Sequence, residues 1–312
     1  MPKPKVLLTH KIPSSARATL EGACDVDYND GYVLPADALK SRLADKQGVI
    51  SVLTDAMTAD VMDAAPDLKV IANIAVGFNN IDVPAARARG IVVTNTPDVL
   101  TEATADMTWA LIMDITRRVS EGDRLVRRGG WKGWSLDFML GMELRGKQLG
   151  IVGYGRIGRA VAVRAAAFGL RVVYSDVQAV PGSDAIPFDR LLSTSDIVSI
   201  HCPLTPETRH LIDQAALARM KRSAYLINTS RGPVVDESAL AWALRERMIS
   251  GAALDVYEEE PHVHPELLAL ENVVLAPHLG SATTDTRTAM ADLAVRNAIA
   301  VLTGQPPLTP VP

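Results

Sequence analysis

Residues 150–158 read Gly-Ile-Val-Gly-Tyr-Gly-Arg-Ile-Gly, so Gly153, Gly155 and Gly158 form a GxGxxG pattern. The apolar run 148–152 leads into it, and the stretch 159–168, of helical period, leads out. Strand, tight turn and helix in that order place a pyrophosphate against a helix N-terminus, where backbone N–H groups are unpaired. The first glycine permits the turn, the second lets phosphate approach the backbone, and the third lets helix pack close on strand. At the end of the next apolar run, 170–175, stands Asp176. A carboxylate there accepts hydrogen bonds from ribose hydroxyls and repels a 2′-phosphate, so NAD(H) is expected in preference to NADP(H).

Working outward, the runs 196–201, 224–229, 252–256 and 273–276 complete six buried strands with helical stretches between them. That alternation is the pattern of a doubly wound parallel sheet. Before residue 100 the same alternation occurs on a smaller scale. Runs at 5–9, 48–54, 70–75 and 91–94 read as strands, and 35–45 and 84–89 as helices. A helix from Thr101 toward Arg118 and another from near Thr284 to Gly304 stand at the joints. The expectation is therefore α/β, with two doubly wound parallel-sheet domains. Residues 1–99 and 286–312 would form one discontinuous domain, and 100–285 an inserted dinucleotide-binding domain of Rossmann type. The tail 305–312 holds four prolines and is expected to lie extended.

Composition excludes several classes. The 312 residues carry 32 Lys and Arg against 36 Asp and Glu, a net charge of −4, which provides no general field for nucleic acid or anionic lipid. Hydrophobic residues make up 48 % and charged residues 22 %, values of a globular chain rather than a disordered one. The two cysteines, Cys24 and Cys202, are no disulfide framework and suit a reducing cytoplasm. Val6-Leu7-Leu8 is too short for a signal peptide core, and no apolar run approaches the roughly 18 residues that span a bilayer.

Three segments carry polar groups just beyond expected strands: 228–232 (Asn-Thr-Ser-Arg-Gly), 255–261 (Asp-Val-Tyr-Glu-Glu-Glu-Pro) and 277–281 (Pro-His-Leu-Gly-Ser). Ligands of open α/β sheets gather at those strand ends. An arginine, a carboxylate and a histidine suit carbonyl reduction. The arginine binds a substrate carboxylate and polarises the neighbouring C=O. The histidine donates a proton to the developing alkoxide, and a carboxylate beside it favours the protonated donor form. A dinucleotide supplies the hydride.

Over nearly its whole length the chain resembles the D-isomer-specific 2-hydroxyacid dehydrogenase family. The resemblance is carried by 75–82 (Ala-Val-Gly-Phe-Asn-Asn-Ile-Asp), Asn95-Thr96-Pro97, the glycine loop, 228–232, 251–255 and 277–281. It implies a flavodoxin-like substrate domain around the inserted NAD-binding domain. By position, Arg231, Glu260 and His278 match the family's catalytic residues, Glu258 and Glu259 being read as solvated. Leu53, Val76, Gly77 and Arg231 match substrate contacts, the backbone N–H groups of Val76 and Gly77 holding the substrate carboxylate. Thr104, Arg156, Ile157, His201, Cys202, Pro203, Thr208, Thr229, Ser230, Asp255, His278 and Gly280 join Gly153, Gly155, Gly158 and Asp176 as cofactor contacts, with Asp255 toward the nicotinamide.

The segment 95–106 and Trp131-Lys132-Gly133-Trp134 resemble the glyoxylate and hydroxypyruvate reductase branch. That resemblance implies a homodimer in which a tryptophan of the partner subunit closes the substrate pocket; Trp134 matches it by position. The rival readings are phosphoglycerate, phosphite or D-lactate dehydrogenases, and an NADH-sensing co-repressor. Phosphoglycerate enzymes often add a C-terminal regulatory domain, for which this chain leaves no length. The formate dehydrogenase branch puts glutamine where Glu260 stands. Arg247 departs from the pattern, since the family commonly has glycine there, and a left-handed Arg costs up to about 1 kcal/mol. No metal is expected: His262 and His264 lack a third ligand. Arg124, Arg127, Arg128 and Lys132 are expected to decorate the surface of a dimerisation arm.

Overall fold

Short apolar runs bounded by turn residues become parallel strands, because strands covered by helices on both faces need apolar side chains at every position. The computed structural model describes residues 2–31, 33–178 and 184–312. The chain divides into two compact units, Met1–Leu100 with Ala282–Pro312, and Thr101–Ser281. The first unit begins with β1 (Lys5–Leu8), α1 (Ser14–Ala23), β2 (Asp25–Tyr28), α2 (Ala36–Leu43) and β3 (Gly48–Ser51). It continues with α3 (Ala59–Asp63), β4 (Val70–Asn73), α4 (Val83–Ala88) and β5 (Val92–Thr94). The second unit opens with α5 (Thr101–Arg117), α6 (Val119–Arg127), β6 (Gln148–Val152), α7 (Arg156–Ala165) and β7 (Arg171–Ser175). Then follow α8 (Phe188–Thr194), β8 (Ile197–Ile200), α9 (Gln214–Arg219), β9 (Tyr225–Asn228), α10 (Glu237–Arg245), β10 (Gly251–Leu254), α11 (Pro265–Leu268) and β11 (Val273–Leu275). The chain returns to the first unit with α12 (Thr284–Leu302).

The first unit holds a parallel sheet in the order β2-β1-β3-β4-β5, the flavodoxin-like order with its switch between β1 and β3. β3 and β4 are buried at every residue. α12 returns its Ala291, Ala294, Val295 and Ala298 to the core under β1 and β4. β2 was not foreseen in the sequence. It is an edge strand, Asp-Val-Asp-Tyr, paired to β1 alone, and so lacks the apolar run that marks its neighbours. The proline-rich tail lies beside β5, with Val311 N–H donating to Val93 O at 2.9 Å and an antiparallel bridge between Thr94 and Pro310. Prolines are tolerated there because an edge leaves one side of the strand unpaired.

The second unit holds six parallel strands in the order β11-β10-β9-β8-β6-β7. The chain leaves β6 to one side for β7 and to the other for β8, so the switch point lies at the carboxyl end of β6, where the glycine loop begins. Asp213, Asp236 and Thr283 cap α9, α10 and α12 by accepting a backbone N–H in the first turn. Arg164 of α7 reaches Glu102 and Asp106 of α5 at 2.7 and 2.8 Å, locking the two helices together.

Candidate active site

The glycine loop has the shape its sequence demands. Gly153 takes φ 90°, and a Cβ there would strike the backbone of His201 and Cys202 beyond β8. A Cβ on Gly158 would meet the Gly153 carbonyl, so α7 starts hard against the turn. Around the Cβ position of Gly155, by contrast, no atom lies within 4 Å. That open space at the N-terminus of α7 is where a pyrophosphate fits, beside N–H groups without helical partners. Asp176 faces the same loop, its Oδ2 accepting the Tyr154 N–H at 2.6 Å and its Oδ1 the Gln178 N–H at 3.0 Å. On the other wall, burial pushes the His201 imidazole down to about 3 and the Cys202 thiol up to about 11. His201 is therefore neutral and Cys202 a thiol near pH 7, polar but unreactive neighbours. Thr208 folds its loop by donating from Oγ to the Pro203 carbonyl at 2.6 Å, and Ser230 Oγ donates to the Cys202 carbonyl.

β9, β10 and β11 are adjacent and in register, Leu254 pairing with both Asn228 and Leu275. The residues just past their ends therefore meet at one edge of the sheet. His278 Nδ1 lies 2.8 Å from Glu260 Oε2, with side-chain exposures of 27 % and 25 %. Burial works to raise the Glu260 carboxyl, but the His278 hydrogen bond, the Tyr257 N–H and the Arg231 charge outweigh it and hold it below the usual glutamate range. Burial of the Arg231 guanidinium lowers its pKa, and the Glu260 charge opposes that.

Supporting contacts fix this geometry. His278 sits at φ 54°, a left-handed conformation that costs a non-glycine residue on the order of 1 kcal/mol. Buried Asp255 holds it there, accepting the Leu279 and Gly280 N–H groups at 2.6 and 2.7 Å, one on each oxygen. Gly280 in turn packs against Thr104. A Cβ on Gly232 would collide with the Tyr257–Glu258 peptide, so only glycine lets the Arg231 loop lie against the Glu260 loop. Tyr257 Oη donates to the Ala276 carbonyl at 2.9 Å, tying the Glu260 loop to the segment that leads into His278. Thr229 Oγ meets Thr108 Oγ of α5 at 2.9 Å.

Residues 109–280 match the model of the D-isomer specific 2-hydroxyacid dehydrogenase, NAD binding domain. The chain is 49 % identical to the glyoxylate reductase of Thermofilum pendens, over 98 % of this chain and 94 % of that protein. The chain belongs to the D-isomer-specific 2-hydroxyacid dehydrogenase family. A glyoxylate reductase of Thermococcus onnurineus is 46 % identical over 98 % of this chain and 95 % of its own length. Among solved structures, a Thermus thermophilus protein superposes with TM-score 0.95 at 47 % identity, covering 99 % of this chain and all of that one. The NADPH-dependent glyoxylate/hydroxypyruvate reductase of Sinorhizobium meliloti, solved with NADP and malonate, superposes with TM-score 0.91 at 35 % identity, covering 99 % and 97 %. Family membership makes the chain an oxidoreductase acting on a CH–OH group, with a nicotinamide-dinucleotide-binding domain.

Within the second unit, the glycine loop, Asp176, Arg231, Asp255, Glu260, His278 and Gly280 all fall at the carboxyl ends of the sheet. Leu53, Val76 and Gly77, half-buried, follow β3 and β4 of the first unit. Trp134 is 80 % exposed, amid the exposed Trp131, Leu136 and Leu140. Arg247 takes φ 54°, so the left-handed turn is kept with arginine in the place of glycine. The sequence reading of Glu258 as a solvated residue is corrected. Its Oε1 accepts the Glu237 N–H at 3.0 Å, its own N–H donates to Glu237 Oε1 at 2.8 Å, and Oε2 meets His210 Nε2 at 2.8 Å. This reciprocal pair anchors the Glu260 loop to the start of α10. Glu237, His210 and Asn228, whose Nδ2 donates to the Arg231 carbonyl at 3.0 Å, were not assigned from sequence. The pair left no signal in the sequence, because a glutamate in the first turn of a helix already suits the helix dipole.

Proposed function

We propose that the enzyme reduces a small 2-oxo acid, glyoxylate or hydroxypyruvate, to the D-2-hydroxy acid, glycolate or D-glycerate. The observation that carries this reading is the His278–Glu260 pair beside Arg231, in the same unit as a loop shaped for a pyrophosphate. Arg231 binds the substrate carboxylate and polarises the carbonyl. In the first unit, the amides of Val76 and Gly77 are the carboxylate donors, with Leu53 a further substrate contact. Because Nδ1 of His278 faces Glu260, Nε2 is the nitrogen that donates a proton to the substrate oxygen. Glu260, held ionised, stabilises the imidazolium and fixes the ring. When bound, NADH supplies the hydride. In the reverse direction neutral His278 accepts the proton.

Asp176 supports NADH over NADPH, since its carboxylate repels a 2′-phosphate. The exposed Trp134 and its apolar neighbours support a homodimer in which Trp134 reaches the partner's substrate pocket. Free thiols at Cys24 and Cys202 support a cytoplasmic setting. Among the described residues no helix is long and apolar enough to cross a membrane. The test is oxidation of NADH and NADPH with glyoxylate, hydroxypyruvate, pyruvate and phosphonooxypyruvate, and the reverse assay with phosphite. Highest kcat/KM on glyoxylate or hydroxypyruvate with NADH is expected; a preference for any other substrate in the panel overturns the assignment.

A further inference from the structure

Asn95 belongs to a motif to which the proposed chemistry gives no role, yet it touches the loop to which that chemistry assigns the substrate carboxylate. Three consecutive carbonyls of that loop are held by donors of the first unit. Ala75 O accepts the Thr96 N–H at 2.8 Å, Val76 O accepts Asn95 Nδ2 at 2.8 Å, and Gly77 O accepts Asn73 Nδ2 at 3.1 Å. A trans peptide is planar, so each N–H points opposite to the carbonyl of the residue before it. Pinning these carbonyls aims the N–H groups of Val76, Gly77 and Phe78 away from their anchors. Among the described residues none of the three meets a protein acceptor. Successive N–H groups left open in this way make an anion-binding surface.

Asn95 is itself held by the end of the chain. Thr309 Oγ donates to the Asn95 carbonyl at 2.6 Å, and the Asn95 N–H donates to Thr309 O at 3.3 Å. Fully buried Asn297 of α12 fixes the tail, donating from Nδ2 to Thr309 Oγ at 2.8 Å and accepting the Leu308 and Thr309 N–H groups at 2.9 and 3.0 Å. We propose that Thr309 and Asn95 are positioning residues for the substrate carboxylate: the C-terminal tail, through Asn95, aims the amides of residues 76–78. This rests on the reading of the 76–77 loop as the carboxylate site.

The test is steady-state kinetics of Thr309→Val and Asn95→Asp in the full-length enzyme. Each change keeps the shape and removes the donor. Thr309→Val removes two hydrogen bonds of the relay and Asn95→Asp one. Each variant is expected to raise KM for glyoxylate and Ki for oxalate together by about three- to tenfold, with kcat within about twofold. Affinity for NADH is expected to stay unchanged, and Thr309→Ser to restore KM. A merely structural role would lower the active fraction, and so kcat, at constant KM. Unchanged KM and Ki in both variants, or a fall in kcat alone, overturns the proposal. If the wild type reduces no 2-oxo acid, the functional reading fails separately. Oxalate titration by calorimetry then decides the inference: weaker binding in the variants supports it, and no difference or no binding to the wild type overturns it.

Discussion

The Nδ1 atom of His278 lies 2.8 Å from the Oε2 oxygen of Glu260, so the imidazole has one nitrogen committed to a carboxylate and one left for chemistry. His278→Ala is expected to lower kcat by about 10²–10⁴-fold while NADH binding, followed by fluorescence, persists. Turnover near the wild-type value would remove His278 from the proton-donor role.

Glu260→Gln keeps the size of the side chain and removes its charge. The kcat for reduction is expected to fall by about tenfold or more, because the carboxylate that faces Nδ1 and orients the ring is gone. A stability effect accompanies this. The folded-state pKa of Glu260 lies below the ordinary value of 4.5. Its contribution is thus complete above that value and is lost as pH falls through the lowered one. Thermal unfolding of the wild type and Glu260→Gln is expected to differ more at pH 7 than at pH 3, and an equal difference at both would contradict the assignment.

Asp255 holds the left-handed turn at His278 by accepting two N–H groups, the Leu279 one part-buried and the Gly280 one buried. Asparagine can accept only one of them and turns an N–H toward the other. Asp255→Asn is expected to cost about 2–4 kcal/mol of stability by denaturant unfolding and to lower kcat more than it raises KM for NADH. Unchanged unfolding would show that the turn holds without it.

Gly232→Ala places a methyl group on the Tyr257–Glu258 peptide. The Arg231 and Glu260 loops must then separate, at a cost of about 1–3 kcal/mol. KM for the 2-oxo acid is expected to rise and kcat to fall together, whereas Gly22→Ala, in open space on α1, is expected to change neither.

Asp176→Ala removes the carboxylate that meets the glycine loop. The ratio of kcat/KM for NADH to that for NADPH is expected to fall by about tenfold or more. A constant ratio would mean that Asp176 does not read the ribose.

Much of this protein was determined by local sequence. Six apolar runs, separated by helical stretches and opened by Gly153, Gly155 and Gly158, specify a doubly wound sheet, because buried parallel strands and a phosphate turn leave few residue types to choose from. The residue types proposed for catalysis stood just past strand ends, where ligands of open α/β sheets gather. β2 was not legible, since an edge strand needs only one apolar face. Neither were the contacts that join distant segments. Glu258 looked like one acidic residue in an exposed run until α10 brought Glu237 against it. Asn95 had no visible task until α12 and the tail reached it through Asn297 and Thr309. Such pairings depend on which loops the sheet order brings together. A hydrogen bond between residues far apart in the chain leaves no periodicity or spacing to read, so only the tertiary structure decides it.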